Sequence, residues 1–137
     1  MREIMFRGKC TDGGSWVWGK GIDVHSNDAY ILQDWMDCDT GICGVDEIEV
    51  IPETVGQYTG LTDMNGKKIF EGDIVEIINA DEVGLVKWIE DGAAFAVVCD
   101  DTDDTEEQSF LVNLFGRDVR VIGNIHDDPE LLMRAVE

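Results

Sequence analysis

The sequence predicts a mainly β protein: a small β barrel with an N-terminal β region and one short C-terminal helix. Short apolar stretches alternate with clusters of Gly, Asn and Asp, and within several stretches the apolar residues recur at every second position. Five or six short strands with tight turns favour a barrel over a flat sheet, because closure leaves no exposed strand edge. The 137 residues are enough to bury a real core.

The N-terminal half contains several short strand patterns. Trp16 and Trp18 lie two residues apart, so in a strand both rings face the same side. Residues 30–32 form a short apolar run, and the acidic segment that follows has the composition of a turn. Ile48 and Val50 alternate with acidic residues, which indicates a strand with one solvent-exposed face.

The second half is more regular. Asn65-Gly66 suits the positive φ values of a type I′ turn, and Glu71-Gly72-Asp73 indicates another turn. Apolar runs between such turns predict the remaining strands at residues 74–78, 84–89, 94–98, 110–112 and 119–123.

One helix is predicted at the C-terminal end. Asp128 can cap the free N–H groups, and Pro129 suits the first helical position because its missing N–H costs nothing there. Leu131, Leu132 and Ala135 then form an apolar stripe for docking on the barrel.

A domain boundary is expected near Pro52, which cannot donate to a sheet ladder. Residues 1–52 then form the N-terminal β region and residues 53–137 the barrel with its helix; the alternative is one continuous domain.

Charge restricts the class of partner. Ten basic residues face thirty acidic ones, for a net charge of −20 at pH 7. Binding to nucleic acid or anionic membranes gains affinity from Lys and Arg, so both are disfavoured, whereas an unknown protein partner with a basic surface is favoured. The simpler interpretation is that the acidity serves solubility.

Compartment and cofactors follow from composition. We expect a cytoplasmic protein with reduced thiols, because the N-terminus has no apolar leader region and no apolar run is long enough to span a membrane. Cys38 and Cys43 are a C-x4-C pair without a second pair, so neither a zinc site nor any other cofactor is predicted.

An acidic loop is predicted between two late strands, because six carboxylates packed closely repel one another. It lacks the Gly of an EF-hand, so weak divalent binding or contact with a basic partner are its alternatives to plain solvation. Its residues are Asp100, Asp101, Asp103, Asp104, Glu106 and Glu107.

The longest motif runs from Val55 to Val75 and reads VGQYTGLTDMNGKKIFEGDIV. Together with the opening MREIMFRG, the later GLVKW and the closing VIGNIHDDPELL, it resembles the YopX family of phage proteins. The resemblance implies a phage or prophage origin, a bacterial host and a central barrel of the Src-homology type. It implies no catalytic residue, because the family carries no established activity.

Most of this motif is interpreted as architecture, with glycines at turns and aromatic residues in the core. The alternative is an interaction surface formed by Gln57, Tyr58, Thr59, Asp73, Lys87 and Trp88. No catalytic motif is recognisable, so an enzyme is not predicted.

The leading hypothesis is a non-enzymatic phage accessory protein that binds another protein. The alternatives are a nucleic-acid-associated barrel, with Lys67, Lys68, Lys87 and Trp88 as a basic patch, and an acidic nucleic-acid mimic. Homo-oligomerisation through Trp16, Trp18 and Trp35 is a further hypothesis.

Overall fold

The structure, a computed structural model, describes residues 2–78, 82–90, 92–98, 108–110 and 119–133. Its strands are β1 (Phe6–Lys9), β2 (Trp16–Gly19), β3 (Gly21–His25), β4 (Asp28–Met36), β5 (Cys43–Val50), β6 (Gly56–Thr62), β7 (Lys68–Phe70), β8 (Asp73–Ile77), β9 (Glu82–Ile89), β10 (Ala94–Val98), β11 (Gln108–Phe110) and β12 (Val119–Asn124). A 3-10 turn covers Pro52–Thr54, and helix α1 covers Glu130–Met133. The mainly β prediction is confirmed, and the chain divides into two compact units, 1–58 and 59–137.

The first unit contains two antiparallel groups of strands. β1 pairs with β2 and with the start of β6, while β3, β4 and β5 form a three-stranded meander with β4 in the centre. Ala29, Ile31 and Val50 are almost completely buried on one face of this meander. Phe6 and Val17 pack against them, so the core of the unit lies between the β1–β2 hairpin and the meander.

Glycine permits the close approach of these two layers. A Cβ added at Gly19 would lie 2.2 Å from the Leu32 carbonyl oxygen, and one added at Gly8 would lie 2.9 Å from Val50 Cβ. Carbon and oxygen atoms that are not bonded to each other do not approach to 2.2 Å. β2 can therefore lie this close to β4 only without a side chain at position 19.

The second unit is built on a five-stranded antiparallel sheet in the order β11-β10-β9-β8-β12. Its core consists of Ile69, Val75, Ile77, Val86, Val97 and Val119. A closed barrel requires pairing between the first and last strands of the sheet, and among the described residues no pairing joins β11 to β12. The predicted barrel is therefore not confirmed.

Two local predictions can be compared with the structure. A turn forms at Asn65-Gly66, with Gly66 at φ +82 and its N–H donating to the Asp63 carbonyl, but Asn65 lacks positive φ, so the predicted type I′ geometry is wrong. The C-terminal helix begins at Glu130 after Asp128-Pro129, and Leu131 N donates to the Asp128 carbonyl. The Asp128 carboxylate accepts from Asn124 N at 3.4 Å, so its bond is to the preceding strand end.

Candidate functional site

Asp63, in the middle of the long motif, is a buried backbone acceptor. Its Oδ1 accepts from Asn65 N and Lys67 N, both at 2.9 Å, and its Oδ2 accepts from Val121 N at 3.0 Å. Burial alone would raise the pKa of Asp63, but these three N–H donors outweigh it and hold the pKa below its ordinary value. The carboxylate thus fastens the β6–β7 loop to β12.

Asp73 and Thr59, two residues of the predicted interaction surface, also bond to backbone. Asp73 is only 2% exposed, and its Oδ2 accepts from Phe70 N at 2.8 Å across the Glu71-Gly72 turn. Thr59 Oγ1 donates to the Ile69 carbonyl at 2.8 Å. Both side chains therefore position β7 and the turn after it.

The other four residues of that predicted surface lie in different settings. In the first unit, Tyr58 is buried and Gln57 is half-buried. In the second unit, Lys87 and Trp88 are exposed neighbours on β9, so their side chains project from opposite faces of the strand. Trp88 meets Phe95 edge-to-face at 5.1 Å between ring centroids. The binding role of the six residues stays a prediction.

The predicted acidic loop, residues 100–107, lies outside the described residues. Within the described ranges, no group of His, Cys, Asp and Glu side chains is arranged to hold a metal ion. None of the helices in those ranges has the length and hydropathy of a membrane span.

Sequence reasoning missed an acidic surface in the first unit. Because alternate residues of a strand face opposite sides, the register of β3, β4 and β5 places five carboxylates together on the face opposite Ile31 and Val50. We call this the acidic face; its residues are Asp23, His25, Asp28, Tyr30, Leu32, Asp34, Met36, Val45, Glu47 and Glu49. None of them is Lys or Arg.

The carboxylates of the acidic face alternate with apolar groups. Glu49 pairs with Tyr30, Glu47 with Leu32, and Asp34 with Val45. Directly opposed like charges would destabilise the sheet, and this arrangement avoids them. It also gives the face a mixed acidic and apolar character.

Among the residues that define the acidic face, His25 alone can carry a positive charge. Its Nε2 lies 2.8 Å from Asp23 Oδ2, and its ring meets Tyr30 edge-to-face with centroids 6.0 Å apart. The other four carboxylates have no basic side chain among the positions of the face. The face therefore has an excess of negative charge at neutral pH.

The pKa of Tyr30 responds to this excess of negative charge. Burial is the largest influence raising the pKa of its phenol, and the carboxylates of Asp28, Glu49, Glu47 and Asp23 raise it further. Each of these carboxylates repels the negative charge that the Tyr30 phenol gains when it ionises.

We expect Tyr30 to ionise at a higher pH than an ordinary tyrosine, and Glu49→Gln to lower that pH. The measurement is ultraviolet titration of the phenolate in a Tyr58→Phe background, since the chain has two tyrosines. Asp12→Asn, in an exposed turn, is the control for charge removal elsewhere. Equal titration curves for the Glu49 and Asp12 variants would contradict the assignment.

Large apolar side chains are exposed at the β4–β5 end of the same sheet. Met36 is 68% exposed, Ile42 60% and Val45 56%, while Trp35 is 44% exposed and its indole stacks over Gly44. A Cβ at Gly44 would lie 2.7 Å from that ring. Trp35 lies on the face opposite Met36 and Val45, so this end of the sheet exposes apolar side chains on both faces.

A cleft of about 370 Å³ opens near this end of the first unit. Gln33 Nε2 donates to the Trp18 carbonyl at 2.7 Å, which connects β4 to β2 along the cleft wall. Asp34 lines the cleft and also belongs to the acidic face. The lining residues are Met5, Trp18, Gly19, Lys20, Gln33 and Asp34.

Comparisons with known proteins agree with the resemblance noted above. The chain matches the YopX family, described as YopX protein, over residues 5–133. A solved structure, the crystal structure of protein EF1440 from Enterococcus faecalis, is 24% identical, with a TM-score of 0.57 over 96% of this chain and 99% of that chain. That likeness shows the fold alone, and no curated protein matches the chain. Because the family match covers nearly the whole sequence, the chain belongs to the YopX family.

Proposed function

We propose that this YopX family member is a non-enzymatic accessory protein of a phage or prophage, and that it acts by binding a basic protein through the acidic face. The observation that carries the proposal is the composition of that face: five carboxylates interleaved with Tyr30, Leu32, Met36 and Val45, without Lys or Arg. Carboxylates there attract and orient a basic partner, while the apolar groups supply contact area that excludes water.

Two further observations support binding over catalysis. Asp63, Thr59 and Asp73 in the long motif bond to backbone groups, which is a scaffold role. The second unit also has its last strand beside the first of a four-stranded meander, and we propose on this ground that it is related to the Src-homology type of barrel. Barrels of this kind present loops and edges to partners.

The test is capture of a partner from host lysate by wild-type protein and by an acidic-face variant, Asp34→Asn with Glu47→Gln and Glu49→Gln. We expect the wild type to retain a basic protein at low salt and to release it as salt rises, because exposed charges are screened. The variant is expected to bind the purified partner about tenfold more weakly or worse, measured by calorimetry.

A control variant removes the same charge elsewhere: Asp12→Asn with Glu53→Gln and Glu90→Gln, all exposed. It is expected to bind like the wild type. If both variants bind equally weakly, net charge alone explains the loss of binding and the acidic face has no specific role. Failure to capture any partner at low salt would contradict the proposal.

Adding duplex DNA to the purified complex separates the acidic-mimic alternative from the general proposal. A nucleic-acid mimic occupies the DNA-binding surface of its partner, so DNA then displaces the protein competitively. Retention of the complex at excess DNA excludes mimicry and leaves protein binding in place.

A further inference from the structure

The outer strand of the acidic sheet, β5, has an open edge. On one side it pairs with β4 from Cys43 to Val50 without a register shift. On the other side, the bonds within the described ranges lie at one end: Thr11 N donates to the Glu49 carbonyl at 3.2 Å, and Ile51 N, just after the strand, donates to the Lys9 carbonyl at 2.8 Å. In the part of the chain that the structure describes, residues 43–48 have no strand on that side.

The backbone at this edge is ready for pairing. Successive residues of a strand direct their N–H and C=O groups to opposite sides, and the Glu49 carbonyl faces the outer side. The N–H and C=O groups of Cys43, Val45 and Glu47 therefore point to the open edge, while those of Gly44 and Asp46 face β4. These outward groups form one half of an antiparallel ladder.

The edge is protected against pairing by acidic residues alone, which leaves it open to a strand of opposite charge. Natural edge strands are blocked by Lys, Pro or a β-bulge, and residues 43–50 contain none of these. Their charged residues are Asp46, Glu47 and Glu49. A second copy of β5 would bring these acids close to their equivalents, whereas a strand that carries Lys or Arg would neutralise them.

We propose that β5 is a docking edge to which an extended, basic segment of a partner protein adds as a fourth strand of the β3–β4–β5 sheet. The inference rests on the proposed function and specifies its geometry. Main-chain hydrogen bonds to Val45 and Glu47 provide affinity, and alternate side chains of the added strand meet the acidic face. Exposed Val45 and Ile42 lie beside the apolar positions of that strand.

The test uses a short synthetic peptide of alternating lysine and valine as the probe and follows amide hydrogen exchange by NMR. At saturating peptide, exchange at the Val45 and Glu47 amides is expected to slow about tenfold or more. The Gly44 and Asp46 amides, already bonded to β4, should change little. A peptide with N-methyl groups on its ladder-forming amides should bind about tenfold more weakly.

Val45→Pro removes one outward N–H at an edge position that tolerates proline, and Val45→Thr is the matched control that keeps it. Both variants alter the apolar side chain, so we expect the proline variant to bind the peptide about tenfold more weakly than the threonine variant, with unchanged core resonances of Ala29 and Ile31 showing that it folds.

If the peptide binds but the exchange of the Val45 and Glu47 amides does not slow, edge pairing is wrong. The acidic-face proposal is unaffected by that result, because the charge variants test it separately. No binding of the peptide also overturns the docking edge. Protection of these amides with rising protein concentration alone would identify a second copy as the occupant and overturn the basic partner.

Discussion

Asp63→Ala is expected to destabilise the second unit by about 3 to 4 kcal/mol at pH 7. The substitution leaves the N–H groups of Asn65, Lys67 and Val121 without their carboxylate acceptor. Hydrogen bonds to a charged group contribute roughly 1.5 to 3 kcal/mol each, and water recovers part of the loss at the exposed loop. Urea denaturation followed by circular dichroism measures the change.

Glu90→Gln, at an exposed position of the same unit, is the control for removal of one negative charge. It should change the free energy of unfolding by less than about 0.5 kcal/mol. A loss below about 1 kcal/mol for Asp63→Ala would mean that this carboxylate does not hold the loop, and the motif would then be free for another role.

The same carboxylate predicts a pH dependence. The pKa of Asp63 is lowered in the folded state, so its contribution to stability is complete above the ordinary Asp value of about 3.9 and is lost as pH falls through the lower folded value. The difference in unfolding free energy between wild type and Asp63→Asn should therefore shrink below about pH 4. A constant difference through this range would contradict the assignment.

Gly19→Ala is expected to destabilise the first unit by about 3 kcal/mol or more. The added Cβ would lie 2.2 Å from the Leu32 carbonyl oxygen and 2.7 Å from Ile31 Cγ2. The Leu32 carbonyl is part of the backbone and cannot rotate away from the added Cβ. β2 therefore has to move away from β4, which exposes the core around Ile31. Tryptophan fluorescence reports the transition, because Trp16, Trp18 and Trp35 lie in this unit.

Gly21→Ala is the matched control, two residues along the chain. Its Cβ would meet the Leu32 Cδ1 methyl at 3.1 Å, and that flexible group can move. We expect a change within about 1 kcal/mol. Equal effects at Gly19 and Gly21 would show that loss of glycine, and not the clash with Leu32, controls the outcome.

Local signals predicted much of the strand content. A turn at Asn65-Gly66 and a strand at residues 74–78 were expected from turn chemistry and a β-branched run, and the structure has a turn at Gly66, though not of type I′, and β8 at Asp73–Ile77. β4 is longer than the expected 30–32 run: it covers Asp28–Met36, because pairing with β3 and β5 holds polar residues in a strand that their own propensity does not favour.

The candidate site was less predictable. The acids at positions 47 and 49 indicated one solvent-exposed face, but whether Asp34 or Asp23 shares that face depends on cross-strand register. Asp73 was assigned to architecture or, alternatively, to an interaction surface, and its burial against Phe70 N follows from the tertiary structure alone.

The sequence by itself determined the family, the mainly β class, the turn positions and the net charge of −20. These depend on residue order and local conformational preference. Only the tertiary structure decided which carboxylates share a surface, which glycines permit close layers and which strand edge is open. Each of those depends on pairing between residues distant in sequence, and a register shift of one residue would turn every side chain of a strand to the other face.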